Sequence, residues 1–286
     1  MASMKIVEYS QKDISSFFKP RVAESNKSDY GKFLVIGGSV GMTGALKLCV
    51  DACYRSGAGL VYYTAPKNDM LVYDLLSVEG ITVAIEDIET GMHLDKKDCI
   101  CIGCGLSYDS LSFRLLEEAL NRSTCHIVCD ATALRLLASK KELLEQHGHR
   151  MTILPHPGEM SALTGMSIEA IQKDRINIAN SFYEAYGCVT VLKGHKTVVA
   201  GESGVFINST GNAGMATAGS GDVLAGMATA YSIMTDNAFT NACVATYMHG
   251  YAGDLAMEEY GRISMIASDI IKYIPKAHKE VAGGKA

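Results

Sequence analysis

The stretch TGNAGMATAGSGDVLAGMATAYSIM, residues 210–234, joins a glycine-rich loop to a long apolar segment. Because glycine has no side chain, the backbone N–H groups of such a loop can approach a ligand closely. The apolar segment predicts a helix over 221–235, and the N-terminus of a helix favours an anion. In an open α/β sheet, ligands bind where strands end and helices begin, so this junction is a candidate site.

Asp222 falls in the first turn of this predicted helix. Aspartate is common in first turns because the helix dipole favours a negative charge there, and this structural role is the more frequent one. The flexible loop favours a catalytic role instead. Phosphoryl transfer to a hydroxyl requires a carboxylate that orients or deprotonates the acceptor, and N–H groups that neutralise developing charge.

Short β-rich runs alternate with helical stretches along nearly the whole chain, which is typical of a parallel sheet with helices on both faces. Several runs have no polar alternation, which predicts burial on both faces of the strand. We predict strands over 32–37, 60–65, 81–85, 99–103, 126–130, 151–155, 188–193, 196–200 and 204–208. We predict helices over 43–56, 109–121, 131–146, 167–186, 221–235, 237–259 and 268–281, with N-caps at Asp109 and Ser167 and a stop at Gly57.

The runs 196–200 and 204–208 are separated by three residues and predict an antiparallel hairpin at one edge of the sheet. Nothing in the sequence resembles a linker, an internal repeat or a low-complexity tract. We therefore expect an α/β protein in which a mainly parallel central sheet lies between two helical layers. A single domain over 1–286 is the simplest account.

Composition and charge exclude several classes of protein. The formal net charge is −5 and no stretch concentrates Lys and Arg, so we expect no nucleic-acid partner. The first twenty residues lack the apolar core of a signal peptide, and no run approaches the ~20 apolar residues that span a bilayer. We expect no membrane partner and a cytoplasmic location.

The nine cysteines are spread through apolar surroundings, which does not resemble a disulfide framework. Cys101 and Cys104 have a spacing seen in metal sites, and Cys125, His126 and Cys129 form a second such group. Cys99 and Cys101 alternate with isoleucines in a predicted buried strand, where cysteine serves as a small apolar residue. This packing role is the favoured interpretation.

The usual nucleotide motifs are absent from the sequence. There is no GxxxxGK[ST], which disfavours a P-loop protein. There is also no complete GxGxxG, since the runs at 103–105 and 219–221 lack the third glycine. A dinucleotide redox enzyme of the Rossmann type is therefore disfavoured.

Six ordered segments resemble the ADP-dependent NAD(P)H-hydrate dehydratases of the ribokinase-like superfamily. Together they cover nearly the whole chain. They are GKFLVIGGSVGMTGA (31–45), LPHPGEMSALTG (154–165), VLKGHKTVVA (191–200), STGNAGMATAGSGDVLAG (209–226), HGYAGDLA (249–256) and IASDIIKYIP (266–275).

This resemblance implies a ribokinase-like three-layer fold and the dehydration of hydrated NADH or NADPH, coupled to the conversion of ADP to AMP and phosphate. It implies ADP, or alternatively ATP, as co-substrate, and Mg²⁺ as cofactor. Chemically, a phosphorylated hydroxyl next to a ring nitrogen's lone pair departs more easily than hydroxide. The resemblance also suggests a homo-oligomer, with a tetramer favoured.

The resemblance assigns roles to individual residues. Asp222 matches the aspartate that contacts the reacting hydroxyl, and is predicted to act as general base. Glu159 matches an acid that organises Mg²⁺ through its waters. The other implied sets are the substrate-binding residues Ala45, Gly105, His156 and Asp222; the nucleotide-binding residues Lys193, Gly194, His195, Lys196, Thr197 and Gly221; and an anion hole at Ala218, Gly219, Ser220 and Gly221.

Several of these residues have a simpler explanation. Lys196 is also typical of a solvated charge, His195 of a turn, and His156 of a rigid turn between two prolines. His249 is expected to be a packed helical residue and not a ligand.

Four positions depart from the family pattern. Cys104 and Ser107 replace the proline and glycine of a GPGLG loop, Thr132 replaces the second acid of DADAL, and Ala218 replaces a glycine in TGG. We expect these changes to affect substrate affinity and not to abolish activity.

Two other functions remain open. A small-molecule kinase of the same fold, acting on a hydroxymethylpyrimidine- or hydroxyethylthiazole-type alcohol, would use the same anion hole and the same base. A non-catalytic nucleotide-binding protein is the second alternative. Family members are often fused to an epimerase, and we expect any epimerase here to be a separate protein.

Overall fold

The computed structural model describes residues 4–283, and within them ten strands form one sheet. The strand order is β1-β10-β9-β8-β7-β6-β5-β2-β3-β4, and β9 alone runs antiparallel to its neighbours. The strands are β1 Ile6–Val7, β2 Lys32–Ile36, β3 Leu60–Ala65, β4 Ile81–Ala84, β5 Cys99–Ile102, β6 His126–Cys129, β7 Met151–Ile153, β8 Val189–Leu192, β9 Val198–Gly201 and β10 Gly204–Ile207.

Helices cover both faces of the sheet. The α-helices are α1 Gln11–Phe17, α2 Thr43–Arg55, α3 Met70–Asp74, α4 Ile85–Glu89, α5 Ser110–Arg122, α6 Thr132–Ser139, α7 Glu142–His147, α8 Pro157–Thr164, α9 Ile168–Lys173, α10 Arg175–Tyr186, α11 Ser220–Tyr231, α12 Ala238–Ser264 and α13 Ala267–Ala282.

The alternation of side chains along each strand divides the interior into two cores. In β2, Phe33 and Val35 pack with α2, α11, α12 and α13, whereas Leu34 and Ile36 pack with α5, α6 and α10 on the opposite face. Both sets are fully buried. A strand with two apolar faces needs a helical layer on each side, so the predicted three-layer α/β/α fold is confirmed.

All nine predicted strands are present, and β9 and β10 form the predicted hairpin. The two-residue strand β1, which the sequence did not predict, pairs in parallel with β10 and forms the end of the sheet beyond the hairpin. A two-residue strand is too short to produce an alternation pattern.

The main difference from the predicted helices is that two of them are each divided into two shorter helices. Lys140 (φ −144°, ψ 74°) separates α6 from α7, and Asp174 (φ −141°, ψ 52°) separates α9 from α10. The side chains of Asp109 and Ser167 accept hydrogen bonds from Ser112 N and Ala170 N, which confirms both predicted N-caps. Four helices were not predicted, namely α1, α3, α4 and α8.

A close contact between α2 and α11 fixes the position of the glycine-rich loop. A Cβ atom at Gly226 would lie 2.1 Å from the backbone oxygen of Cys49, so only glycine allows the two helices to approach this closely. One at Gly219, just before α11, would lie 2.4 Å from Leu48 Cδ1. The start of α11 is therefore held against α2.

None of the helices within residues 4–283 combines the length and the apolar character that a bilayer-spanning segment needs.

Candidate active site

Four neighbouring parallel strands bring polar groups to the same edge of the sheet. Beyond their carboxyl ends lie Cys104 after β5, Asp130 after β6, Glu159 after β7 and Lys193 after β8. The ends of adjacent parallel strands are close in space, so residues far apart in sequence meet here. The N-terminus of α11 faces the same group, because a Cβ at Gly221 would lie 3.4 Å from Lys193 Nζ and 3.7 Å from Asp130 Oδ2.

The first turn of α11 is arranged to receive an anion. Gly219 occupies the N-cap position in a left-handed conformation (φ 91°), and no side chain within residues 4–283 caps this turn. A glycine cap leaves the helix N-terminus accessible, with the positive end of the helix dipole directed outwards. The geometry fits the predicted anion hole of Ala218, Gly219, Ser220 and Gly221, although their role stays a prediction.

Asp222 lies beside a second carboxylate. Oxygen atoms of Asp222 and Asp130 and the sulfur of Cys104 lie within 4.8 Å of one another. Burial raises the pKa of Asp222 to about 6, and the charge of Asp130 adds to the effect. A carboxylate with a pKa near neutrality accepts a proton more readily than an ordinary aspartate, which suits a general base.

Lys193 interacts with both Asp130 and Glu159. Its Nζ atom donates to Asp130 Oδ1 at 2.5 Å and lies 3.7 Å from Glu159 Oε2. Burial opposes the charge on Lys193, but attraction by Asp130 and Glu159 outweighs it and raises the pKa of the lysine. Burial likewise raises the pKa of Asp130, and Lys193 offsets part of that rise. The pair is a buried ion pair at the centre of the site.

His156 and Glu159 cap the start of α8. His156 Nδ1 accepts hydrogen bonds from Gly158 N and Glu159 N, and Glu159 Oε2 accepts one from His156 N at 2.8 Å. Burial raises the pKa of Glu159 to about 7, and burial lowers the pKa of His156. His156 Nδ1 must stay unprotonated to accept these bonds, so the ring is neutral at pH 7.

A cleft of about 640 Å³ adjoins this group and is lined by all six predicted nucleotide-binding residues. Its volume falls within the range typical of small-ligand pockets. The residues predicted from the sequence that line it are His156, Lys193, Gly194, His195, Lys196, Thr197, Ser220 and Gly221. The cleft is also lined by Thr210 and Asn212, which lie in the glycine-rich loop that the sequence indicated as a candidate site, and by Asn208, Thr246 and His249, which were not predicted.

Arg175 holds the turn at 193–197 in place. Its guanidinium donates to the backbone oxygens of Leu192 and His195, each at 2.6 Å. Lys196 adopts a left-handed conformation (φ 54°), which the turn requires. Arg175 lies in a helix, 17 residues before Leu192, and the local sequence does not indicate that it contacts this turn. Only the tertiary structure shows the contact.

His249 is buried, as expected, but it also lines the cleft. Its Nε2 atom has no hydrogen-bond partner among residues 4–283, and burial lowers the pKa of the ring to about 4. A buried polar atom without a partner costs free energy, so a ligand group in the cleft would be its natural partner.

The predicted substrate residues Ala45 and Gly105 lie next to each other, since a Cβ at Gly105 would be 3.2 Å from Ala45 Cβ. The Ser39 hydroxyl donates to the Gly105 oxygen at 2.7 Å and holds this loop. Neither residue borders the 640 Å³ cleft, whereas Cys104 places the loop beside Asp222. Of the predicted substrate residues, only His156 lines the cleft.

Residues 33–276 match the family model described as NAD(P)H-hydrate dehydratase. The chain belongs to this family. It is 34% identical over 251 residues to the ADP-dependent (S)-NAD(P)H-hydrate dehydratase of Neisseria meningitidis serogroup B, covering 85% of this chain and 83% of the relative. It is 36% identical over 267 residues to the bifunctional NAD(P)H-hydrate repair enzyme Nnr of Moorella thermoacetica, covering 89% of this chain and 50% of the relative.

Solved structures agree with this placement. The ADP/ATP-dependent NAD(P)H-hydrate dehydratase of Bacillus subtilis, co-crystallised with ATP and Mg²⁺, superposes with a TM-score of 0.85 at 25% identity, over 98% of this chain and all of that one. A ribokinase-like superfamily protein of Enterococcus faecalis superposes with a TM-score of 0.87 at 25% identity, over 99% of this chain and 98% of that one. These matches confirm the ribokinase-like fold. The chain spans about half the length of the bifunctional relatives it matches.

The structure explains how this dehydratase-family chain accommodates two of its unusual residues. The Thr132 hydroxyl donates to the Leu106 oxygen at 2.7 Å, so it ties the 130–132 segment to the 103–107 loop without a second acid. Cys104 is fully buried beside Asp222. Ser107 and Ala218 are exposed. None of these changes displaces Asp222 or Lys193.

The raised pKa of Asp222 makes its effect on stability testable. A carboxyl group whose pKa is higher in the folded than in the unfolded state favours folding when it is protonated. Its ionisation therefore destabilises the fold, and for Asp222 this effect is complete above about pH 6. We expect Asp222→Asn to increase the free energy of unfolding by about 1–3 kcal/mol at pH 7.5. The gain should disappear as the pH falls towards 4. Urea unfolding at both pH values measures it, and a less stable variant at pH 7.5 would contradict this description of the site.

Proposed function

We propose that the chain catalyses the ADP-dependent dehydration of (S)-hydrated NADH and NADPH to NAD(P)H, with release of AMP and phosphate. The observation that carries the proposal is the position of Asp222. It lies at a helix N-terminus beside the buried Asp130–Lys193 pair, and directly follows Gly221, which lines a cleft of nucleotide size. This arrangement combines a base, an anion site and a binding cleft.

In the first step, the hydroxyl of the hydrated ring attacks the terminal phosphorus of ADP while Asp222 takes the hydroxyl proton. The bond from that phosphorus to the bridging oxygen breaks, and AMP leaves. Backbone N–H groups at Ser220 and Gly221 stabilise the negative charge that develops on the transferred phosphoryl group. Lys193 supplies a positive charge near Gly221 for the same purpose.

In the second step, the phosphorylated hydroxyl departs as phosphate because the lone pair of the ring nitrogen assists its departure. Loss of a proton from the neighbouring carbon restores the dihydronicotinamide ring. The atoms balance, because the water removed from the hydrate is the water that converts ADP to AMP and phosphate. No oxidant or reductant is needed.

The cleft residues are suited to bind the nucleotide. Lys193, Gly194, His195, Lys196 and Thr197 form one wall, which Arg175 fixes through backbone oxygens. We propose that this wall holds the adenosine monophosphate portion and that the terminal phosphate points towards Gly221. Ala45, Gly105 and His156 are proposed to contact the hydrated nicotinamide nucleotide.

Carboxylate oxygens are the donors that Mg²⁺ prefers, and Asp130 and Glu159 supply them on either side of Lys193 Nζ. We propose that these two residues hold the ion, Glu159 through water. Mg²⁺ neutralises phosphate charge when bound. Because Glu159 has a pKa of about 7, its capacity to hold the ion should fall below neutral pH.

Three further features remain proposals. We propose a cytoplasmic location, a homo-oligomeric state with four subunits, and cooperation with a separate epimerase. The bifunctional repair enzymes among the relatives support a link to a second activity.

The direct test is absorbance at about 340 nm, the band of the reduced nicotinamide ring, after mixing the purified protein with hydrated NADH, Mg²⁺ and either ADP or ATP. We expect a rise that depends on the nucleotide, and the more effective nucleotide is the donor. Asp222→Asn should retain ADP binding and lose activity by about 10²–10⁴-fold, the usual contribution of a general base.

Two outcomes would contradict this proposal. A lack of any rise with intact substrate and either nucleotide would reject the dehydratase activity and direct attention to the small-molecule kinase alternative. A variant at Asp222 that keeps most of the rate would reject the general-base assignment.

Lys193 provides a second test, on nucleotide binding. Lys193→Ala should weaken ADP binding by about 10–100-fold, as expected for loss of a charged contact, and should affect hydrated NADH less. Titration calorimetry measures both affinities, with Lys279→Ala as control because Lys279 is exposed and outside the cleft.

Removal of Lys193 leaves Asp130 buried without its partner, so the double variant Asp130→Asn, Lys193→Ala is measured in parallel to separate binding from folding. Unchanged ADP affinity in both variants would rule out this role for Lys193.

A further inference from the structure

Three thiols form a cluster beneath the proposed active site. The sulfur atoms of Cys49 in α2, Cys101 in β5 and Cys104 in the loop after β5 lie within 4.8 Å of one another. All three residues are fully buried, and Cys49 Sγ lies 3.7 Å from Cys101 Sγ. Cysteines that serve only as small apolar residues have no need to direct their sulfur atoms towards a common point.

The spacing of the sulfur atoms fits a metal ion better than a disulfide. Two thiolates on one tetrahedral zinc ion, each about 2.3 Å from the metal, lie about 3.8 Å apart. The 3.7 Å between Cys49 Sγ and Cys101 Sγ agrees with that value. A disulfide would require the two atoms to approach to about 2.0 Å, and therefore a movement of one of the elements or side chains.

Cys104 connects this cluster to the catalytic carboxylates. Its sulfur atom also lies within 4.8 Å of oxygen atoms of Asp130 and Asp222. Binding of a metal ion would convert the thiol of Cys104 to a metal-bound thiolate and place its negative charge beside the two carboxylates that the proposed chemistry uses.

The surroundings can balance the charge of a bound cation. Asp222, whose carboxylate lies beside Cys104, is only partly buried. Three thiolates with one divalent ion leave a net charge of −1, and the ammonium of Lys193, which interacts favourably with Cys104, offsets part of it. Soft sulfur ligands select thiophilic ions and disfavour Mg²⁺.

We propose that Cys49, Cys101 and Cys104 form an inhibitory binding site for one thiophilic divalent cation of the zinc and cadmium class. Binding replaces three S–H protons with three metal–sulfur bonds and releases the protons to solvent, so affinity rises with pH. The inhibition rests on the proposed dehydratase function, whereas the binding itself does not.

The test uses Cd²⁺ as probe and the full chain with reduced thiols. Titration should produce a sulfur-to-cadmium charge-transfer band in the ultraviolet that saturates at one equivalent. Replacing Cys49, Cys101 or Cys104 singly with alanine should weaken the binding of Cd²⁺ at least 100-fold. Cys243→Ala is the matched control, because Cys243 is equally buried in the same core but outside the cluster.

Inhibition is measured separately, with Mg²⁺ in excess. We expect Cd²⁺ to abolish nucleotide-dependent turnover of the wild type, and Cys101→Ala to keep the rate and resist Cd²⁺. If Cys101→Ala does not fold, Cys49→Ala provides the same comparison. A one-equivalent band in a chain without dehydratase activity would support the site and reject only the proposed function.

Three results would overturn the proposal. These are the absence of a saturable band, binding that survives substitution at all three positions, and binding that depends on Cys104 but not on Cys49 or Cys101. The last result would place the ion between Cys104 and the two aspartates instead.

Discussion

The buried ion pair between Lys193 and Asp130 is the constraint on which the rest of the site depends. Lys193 Nζ lies 2.5 Å from Asp130 Oδ1, so the pair joins the ends of β8 and β6. It crosses the end of β7, the strand between them, which is followed by Glu159. A buried lysine without a partner would be costly, so the sheet must keep these strand ends in register for the pair to form. Burial raises the pKa of Asp222, and the charge of Asp130 adds to the rise. The position of Asp130 at the end of β6 therefore contributes to the reactivity of the proposed base.

Several residues of the proposed site are held by contacts outside the cleft. The glycine-lined contact of α2 with α11 positions the proposed anion site, and Arg175 fixes the turn at 193–197 that is proposed to bind the nucleotide. The site also concentrates features that oppose stability: two adjacent carboxylates, a helix N-terminus without a side-chain cap, and a histidine nitrogen that has no partner among residues 4–283. A phosphate group could accept hydrogen bonds at the helix N-terminus and from the histidine, which would couple nucleotide binding to stability.

Much of the fold could be predicted from the sequence, because buried parallel strands are continuous apolar runs and the glycine-rich loop before Asp222 is distinctive. Strand β1 and the breaks at Lys140 and Asp174 could not, since they arise from tertiary contacts and not from local composition. Two segments that line the cleft, 193–197 and the glycine-rich loop from 210 to 221, were recognised in the sequence. The roles of Asp130, Arg175 and His249 depend on which strand ends become neighbours, and a single sequence does not show this.

In the proposed mechanism, the hydroxyl of the hydrate is phosphorylated before it leaves, with Asp222 as its base. An isotope experiment follows the hydroxyl oxygen, using hydrated NADH whose ring hydroxyl carries ¹⁸O, with ADP and Mg²⁺ in unlabelled water. Mass spectrometry of the released phosphate then reports the origin of its oxygen. If the hydroxyl is phosphorylated, each phosphate will contain one ¹⁸O atom. Phosphate that contains only unlabelled oxygen would show that water attacks the nucleotide, and the proposed mechanism would be wrong.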